Sequence, residues 1–365
     1  MRVLIFEIHS YHYEIIPGFA SLFLQSGYQV DCLLREAKDD GDVFCRCKEL
    51  KKKIRIYNYE NANLGDVLRD LHNENRYDII FFSSIFIENK ACLQAINQIE
   101  NSFDPKPKLI GCCHGFELND DAFKRMLLHF GGRIVALSRT ETPYGVFPEV
   151  NPNVFCDIEG YGEKHDKTTI IGVGMRVNLN ELTTVMNRLD KGTIHLIMVR
   201  KKENMCDQLI HILKYCVIRL FRLKKYDWTK HIPTKTPKKH AREEMEITGR
   251  IPFSELFAKV ENSDFIVMNI YEGSVSKFSS KRTSGAKQLS LGFLKPCILE
   301  KQTADYYGFN ERNAIVYNKG ELMQAVTRAA SMPREEYMEM VDALRDMREQ
   351  VRKNSLRNLE KVLND

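Results

Sequence analysis

The sequence predicts an α/β protein made of two Rossmann-like, doubly wound domains facing a cleft. Three observations carry that expectation. Short apolar runs of strand length alternate with segments of helical period, the pattern of a parallel sheet covered on both faces. The alternation occurs twice, interrupted by one stretch that follows neither period. The chain of 365 residues is also long enough for two domains of roughly 150 residues each.

In chain order, Arg2-Val3-Leu4-Ile5-Phe6-Glu7-Ile8 is a continuous apolar run of the kind a buried parallel strand needs, and Ile15 to Gln25 has the helical spacing that follows it. Gly27 to Leu34 supplies the next strand, and then come strand 53–57, helix 63–73, strand Tyr77 to Ser83 and helix 89–100. Strand Lys108 to Cys113, helix 119–129 and strand Arg133 to Leu137 complete the first series. Pro143, Pro148, Asn151-Pro152-Asn153 and Gly160-Tyr161-Gly162 then break periodicity through about residue 167. The second series runs through strand Thr169 to Val173, helix 179–189, strand Ile194 to Val199, helix 203–223, strand 245–248 and helix 253–261. Strand Asp264 to Ile270, helix 284–292, strand Pro296 to Glu300 and helix 320–330 follow it, and the chain ends in helical sequence from Arg334. The expected division is therefore residues 1–150 as the first domain, 151–167 as a linker and 168–333 as the second domain. Residues 334–365 are expected to form helices that pack back toward the first.

With 43% hydrophobic and 28% charged residues, 11 prolines and 20 glycines, collagenous, disordered and low-complexity classes are excluded. No apolar run approaches the roughly 18 residues of a membrane span, and the N-terminal run turns acidic at Glu7 too soon for a signal peptide. A cytoplasmic protein is expected, free or peripheral at the inner face of a membrane. The ten cysteines are scattered, with Cys45 and Cys47 in one loop and Cys112-Cys113 on a strand, and no CxxC pair or zinc spacing occurs. Adjacent strand residues point to opposite faces, so Cys112 and Cys113 are expected to fill two different cores.

Charge is uneven. Residues 200–242 hold thirteen Lys or Arg against three acids, an excess of ten, so the overall +5 leaves the remainder at −5. Such a concentration points to one anionic partner surface. Leu209, Ile210, Ile212, Leu213, Val217, Leu220 and Phe221 give part of it an amphipathic pattern. Two alternatives stay open: a sheet-covering helix with a solvated basic loop, or attachment to anionic lipid. Nucleic acid is disfavoured, because only Tyr226 and Trp228 interleave with the charges and no recognition motif occurs.

Ligands of such sheets bind beyond the carboxyl ends of the strands. The first strand-to-helix loop carries His9-Ser10-Tyr11-His12, and the fourth carries His114-Gly115-Phe116-Glu117. An imidazole there can take a proton near neutral pH, and Glu117 could orient that of His114. In the second half, Gly172-Val173-Gly174-Met175-Arg176 lacks the third glycine of a dinucleotide fingerprint, which disfavours a nicotinamide cofactor. Ser279-Ser280-Lys281-Arg282-Thr283-Ser284-Gly285 precedes a helix. It is either a cradle for a diphosphate, with backbone N–H groups and two cations, or a solvated loop with an ordinary Ser or Thr cap.

Gly249-Arg250-Ile251-Pro252-Phe253-Ser254-Glu255-Leu256, Asn262-Ser263-Asp264-Phe265 and Thr283-Ser284-Gly285-Ala286, with Gly292-Phe293-Leu294-Lys295-Pro296 after it, resemble the donor-binding half of GT-B glycosyltransferases of the bacterial surface-polysaccharide type. The donor domain is loosely similar to that of family-4 enzymes. The resemblance is best over about 245–320. It implies that Arg250 to Leu256, Arg250 and Ile251 first among them, border the nucleoside, and that Ser284 and Gly285 bind the diphosphate through backbone N–H groups, beside the Lys281, Arg282 and Thr283 of the cradle read above. Arg176 would reach the phosphates from its turn. The retaining Glu-x7-Glu pair is replaced by Lys277 and Gly285, whereas His12 stands fifteen residues before Gly27, resembling the base position of inverting members.

What the resemblance implies is transfer of a sugar from a nucleoside diphosphate to a hydroxyl acceptor, a glycan or a lipid-linked oligosaccharide, as in polysaccharide or glycoconjugate synthesis. The first domain would hold the acceptor with His12, His114 and Glu117, the second the donor, and neither metal nor cofactor is required. A nonhydrolysing sugar-nucleotide epimerase and a non-catalytic sugar-nucleotide-binding subunit are the alternatives.

Overall fold

The structure, a computed structural model, describes residues 1–8, 10–36, 41–60, 63–85, 90–114, 120–138, 140–142, 145–153, 164–174, 177–200, 237–268 and 284–364. The first half contributes strands β1 (Arg2–Glu7), β2 (Gln29–Arg35), β3 (Arg55–Tyr59), β4 (Ile79–Phe82), β5 (Lys108–Cys113) and β6 (Ile134–Ala136). They form a parallel sheet in the order β3-β2-β1-β4-β5-β6. A short antiparallel hairpin of β7 (Thr140–Thr142) and β8 (Gly145–Phe147) follows. The second half repeats the arrangement with β9 (Thr168–Val173), β10 (Ile194–Val199), β11 (Met245–Thr248), β12 (Phe265–Met268), β13 (Cys297–Glu300) and β14 (Ala314–Tyr317), in the order β11-β10-β9-β12-β13-β14. Both sheets therefore reverse strand order beside their first strand, between β1 and β4 and between β9 and β12. A crevice opens at such a reversal at the carboxyl ends of the strands.

Side-chain alternation explains why the first sheet is covered twice. Val3, Ile5, Ile79, Phe81, Ile110 and Cys112 belong to one apolar cluster, while Leu4, Phe6, Ile80, Phe82, Leu109 and Cys113 belong to another. The vicinal cysteines thus serve opposite faces, as the strand period requires. The first cluster continues through the second half and the C-terminal helix.

Helix ends correct some sequence expectations. The helix Ile16–Gln25 ends in a Schellman motif: Gly27, at φ +84°, donates from N to Leu24 O at 3.1 Å, and Tyr28 N donates to Phe23 O at 3.0 Å. Gly27 and Tyr28 are therefore consumed by the cap, and β2 starts at Gln29. The C-terminal residues form one helix, Arg334–Asn364, rather than several. Its Ser355 Oγ accepts from Asn151 N at 2.9 Å, and Asn358 Nδ2 donates to Glu149 O at 2.8 Å. Lys108 Nζ on β5 donates to Leu363 O at 3.0 Å. Residues 151–153 have the composition of a solvated connection, yet they are buried. A Cβ on Gly18 would lie 2.4 Å from Pro152 O, so only a glycine in the helix Ile16–Gln25 lets that backbone pass.

Candidate active site

The first half brings its polar groups to the reversal of its sheet. Glu7, the last residue of β1, is 0% exposed. A carboxylate so buried must be hydrogen-bonded. Ser83 and Ser84, immediately after β4, both donate to its Oε2, at 2.7 and 2.6 Å. His114, immediately after β5 and 5% exposed, places Nε2 3.1 Å from Ser84 Oγ and 2.9 Å from Ser83 O. Three adjacent strand ends thus contribute to one network.

His12 joins it from the loop after β1. Ser10–Ile15 is 3-10 helix with a break at His12, whose φ of −116° and ψ of 16° are not helical. The break brings the imidazole against His114, with ring centroids 4.5 Å apart. Glu14 Oε1 stands 3.8 Å from His12 Nδ1, an ionic contact rather than a hydrogen bond. Burial pulls the imidazole's pKa down and is the largest single influence; the Glu14 carboxylate, with the Glu7 charge behind it, outweighs it and holds the pKa above its ordinary value.

Glu14 also lines a cavity of about 440 Å³ whose other walls come from the second half. Val173, the last residue of β9, and Gly174, in the turn after it, line one side, and Val199 and Arg200 lie at the end of β10. Gly249, Arg250, Ile251, Phe253 and Leu256 come from the loop after β11 and the helix Phe253–Glu261, and Gly285, Ala286 and Leu289 from the helix Gly285–Phe293. Gly174 has φ +102°, which favours glycine, and its N donates to Val199 O at 3.0 Å. A Cβ on Gly285 would meet nothing within 4 Å, so the helix begins against open space. Two arginines, backbone turns and the positive end of a helix suit an anion; Ile251, Phe253, Leu256 and Leu289 suit a flat apolar group beside it.

Of the sequence-derived candidates, His12 and His114 meet one another, and Arg250, Ile251 and Gly285 share the cavity wall. Ser284 spends its hydroxyl on the helix cap, accepting from Ala286 N at 3.3 Å, the alternative considered for that loop. Glu117, Arg176, Lys281, Arg282 and Thr283 lie outside the described residues, as do positions 201–236 of the basic segment and the helix expected at 203–223. Glu7, Glu14, Ser83, Ser84 and Arg200 were not singled out from the sequence as site residues. Their signal is position: Glu7, Ser83, Ser84 and Arg200 lie at or just beyond a strand's carboxyl end, and Glu14 lies in the 3-10 segment that follows β1. Among the described residues, no three His, Cys, Asp or Glu side chains group as metal ligands would, and no helix is long and apolar enough to cross a membrane.

Neither a protein-family model nor a curated protein sequence matches the chain. Solved structures do match. An alpha-glucosyltransferase in complex with UDP and a 13-mer DNA containing an HMU base is similar at 12% identity and a TM-score of 0.56, covering 98% of this chain and 94% of that one. AviGT4, a glycosyltransferase involved in avilamycin A biosynthesis, gives 8% identity and a TM-score of 0.52 over 100% and 98% of the two chains. UGT89C1 of Arabidopsis thaliana, complexed with UDP, gives 11% and 0.51 over the same shares. The fold is thus that of the GT-B proteins along the whole chain.

Proposed function

We propose that the chain is a glycosyltransferase that moves a sugar from a nucleoside diphosphate to a hydroxyl acceptor. The observation that carries this is the cavity's composition: Arg200, Arg250, Gly174 and Gly285 from one half face Glu14 from the other, next to His12 and His114. The full-length likeness to proteins solved with UDP supports it.

The diphosphate lies against the N-terminal end of the helix Gly285–Phe293 and the two arginines, and the nucleoside lies along Ile251 and Phe253; the resemblance and the sequence add Arg176, Lys281, Arg282 and Thr283 as further candidates for the diphosphate. Negative charge that develops on the leaving diphosphate is offset by these fixed groups, so catalysis needs neither metal nor cofactor. On the acceptor side, His12 or His114 takes the hydroxyl proton as the oxygen attacks the anomeric carbon, which inverts configuration.

Polysaccharide or glycoconjugate synthesis, with a glycan or lipid-linked acceptor, is the proposed setting, and 200–242 provides the contact with an anionic membrane surface from the cytoplasmic side. Nucleic acid, disfavoured on sequence grounds, returns as an acceptor class, because a similar structure carries DNA beside UDP. Salt-sensitive co-sedimentation with anionic vesicles supports the membrane contact; binding to DNA without vesicle binding replaces it. A thermal-shift screen with nucleoside diphosphates and their sugars tests the donor assignment. Stabilisation by one diphosphate and its sugar supports it, and no response to any of them contradicts it.

A further inference from the structure

Every described residue lining the cavity of about 440 Å³ belongs to the second half except Glu14. Among those lining residues it is also the one acidic group, against two cationic ones, Arg200 and Arg250. Its side chain is 20% exposed, so it is partly withdrawn from water yet within reach of a ligand. The backbone that carries it is held on both sides, because Tyr13 and Ile15 are buried and the Tyr13 hydroxyl donates to Arg35 O. The ion pair described for Glu14 is with His12 Nδ1 at 3.8 Å, a counter-charge only while that imidazole is protonated. Once His12 is neutral, the carboxylate presents an uncompensated negative charge to the cavity, and Glu7 behind the same imidazole adds charge of the same sign.

We propose that Glu14 is a specificity-determining residue that selects a neutral donor sugar and excludes a uronic acid. The proposal rests on the transferase function above. With the nucleoside along Ile251 and Phe253 and the diphosphate at the start of the helix Gly285–Phe293, the sugar lies at the end of the diphosphate remote from the nucleoside. The acceptor oxygen reaches the anomeric carbon from the side opposite the diphosphate, so the sugar occupies the space between the arginines and the first half, where Glu14 forms the wall. An ionised carboxylate only accepts hydrogen bonds, and the hydroxyls of a neutral sugar can donate to it. The carboxylate of a uronic acid cannot donate, and it brings a second negative charge into a space where solvent screens the repulsion poorly. Arg200 and Arg250 do not offset that charge, because the diphosphate already engages them. Exclusion thus comes from a repulsive element on one half, while affinity comes from the other.

The test is calorimetric titration, at a pH above the His12 titration, with UDP, UDP-glucose and UDP-glucuronic acid, whose sugars differ at one carbon. The wild type should bind the glucose conjugate about tenfold or more tightly than the glucuronic acid conjugate, and Glu14→Gln should bring the two within about twofold of one another. Glu14→Asp, which keeps the charge, should keep the exclusion. A residue that only supported the local fold would move both conjugates and UDP together, so the ratio between the conjugates is the readout. A wild type that binds the uronic acid conjugate as tightly as the glucose conjugate, or a folded Glu14→Gln protein that keeps the wild-type ratio, overturns the proposal and leaves the transferase function standing. If the uridine compounds do not bind and another nucleoside diphosphate does, the matched pair on that nucleoside is the probe and the same ratio decides. Binding of no nucleoside diphosphate at all would overturn the transferase function and this proposal with it.

Discussion

Lys287 Nζ stands 3.5 Å from Glu149 Oε1, so a lysine only 4% exposed, on the helix whose first residue lines the cavity, is paired with the segment that connects the two halves. The same ammonium lies 5.5 Å from the Tyr307 ring centroid, and the next residue, Gln288, donates from Nε2 to Asn151 Oδ1 at 3.1 Å. Burial holds the Lys287 pKa below its usual value, with the Glu149 charge offsetting part of that. Removing the counter-charge should therefore cost more than removing both charges. Glu149→Gln is expected to destabilise by about 1–3 kcal/mol, whereas Lys287→Met, alone or combined with it, should be nearer neutral. Chemical denaturation of the three variants checks this; equal costs for the single variants would mean that the pair is not what matters there.

The cavity's anion site is tested at Gly285. A Cβ there meets no protein atom within 4 Å, so Gly285→Val should leave the melting temperature within about 2 °C of wild type. The same side chain stands where a diphosphate must approach the helix N-terminus, and affinity for the nucleoside diphosphate should fall by about tenfold or more. Calorimetric titration of the folded variant measures it, and unchanged affinity would move the diphosphate elsewhere.

Arg200 makes a different prediction from the lysines of the basic segment. It is 9% exposed and lines the cavity, whereas Lys238 and Lys239 are exposed. Arg200→Ala should weaken diphosphate binding by about ten- to a hundredfold, and Arg200→Lys should restore little of it, because a planar fork is replaced by a point charge. Neutralising Lys238 and Lys239 should leave that affinity unchanged. The reverse ranking would place the anion on the protein's exterior.

The two cores and most strands are legible in the sequence because runs such as Ile79–Phe82 and Ile194–Val199 are long enough to show their apolar character alone. β14 is not legible because Ala314-Ile315-Val316-Tyr317 opens with alanine, closes with tyrosine and stands between Arg312-Asn313 and Asn318-Lys319-Gly320, so its apolar run is weaker than that of Ile79–Phe82 and its flanks read as loop. The site was half legible. His12 and His114 announce themselves by residue type, but Arg200 is hidden in a basic run, and Ser83 and Ser84 acquire meaning only from the neighbour relations of β1, β4 and β5. Strand order is a property of pairing, which no local pattern encodes.

Glu14 supplies a pH prediction. Its carboxylate raises the His12 pKa, so Glu14→Gln should lower it, and His12 should stay neutral to a lower pH. If His12 takes the proton, the acid limb of the rate profile shifts to lower pH; if His114 does, that limb moves less. Because the folded pKa is raised, the ion pair's stabilisation is present below about pH 6.5 and disappears as pH rises through the folded pKa. Glu14→Gln should accordingly destabilise by about 0.2–1 kcal/mol in mild acid and by less in mild alkali. Histidine proton shifts followed against pH in wild type and variant measure the effect, and an unmoved His12 titration would contradict it.

A sugar is expected to pass from a nucleotide donor to an acceptor hydroxyl across this cleft. The most direct measurement is proton NMR of the reaction with a panel of nucleoside diphosphate sugars and hydroxyl acceptors, reading the anomeric coupling of the product together with released nucleoside diphosphate. The expected result is one diphosphate released per glycosidic bond formed, with anomeric configuration opposite to the donor's, and a rate lowered about 10²–10⁴-fold when the histidine that takes the proton is replaced by alanine. A donor altered at a sugar carbon without release of diphosphate, or a product that keeps the donor's configuration, would contradict the account.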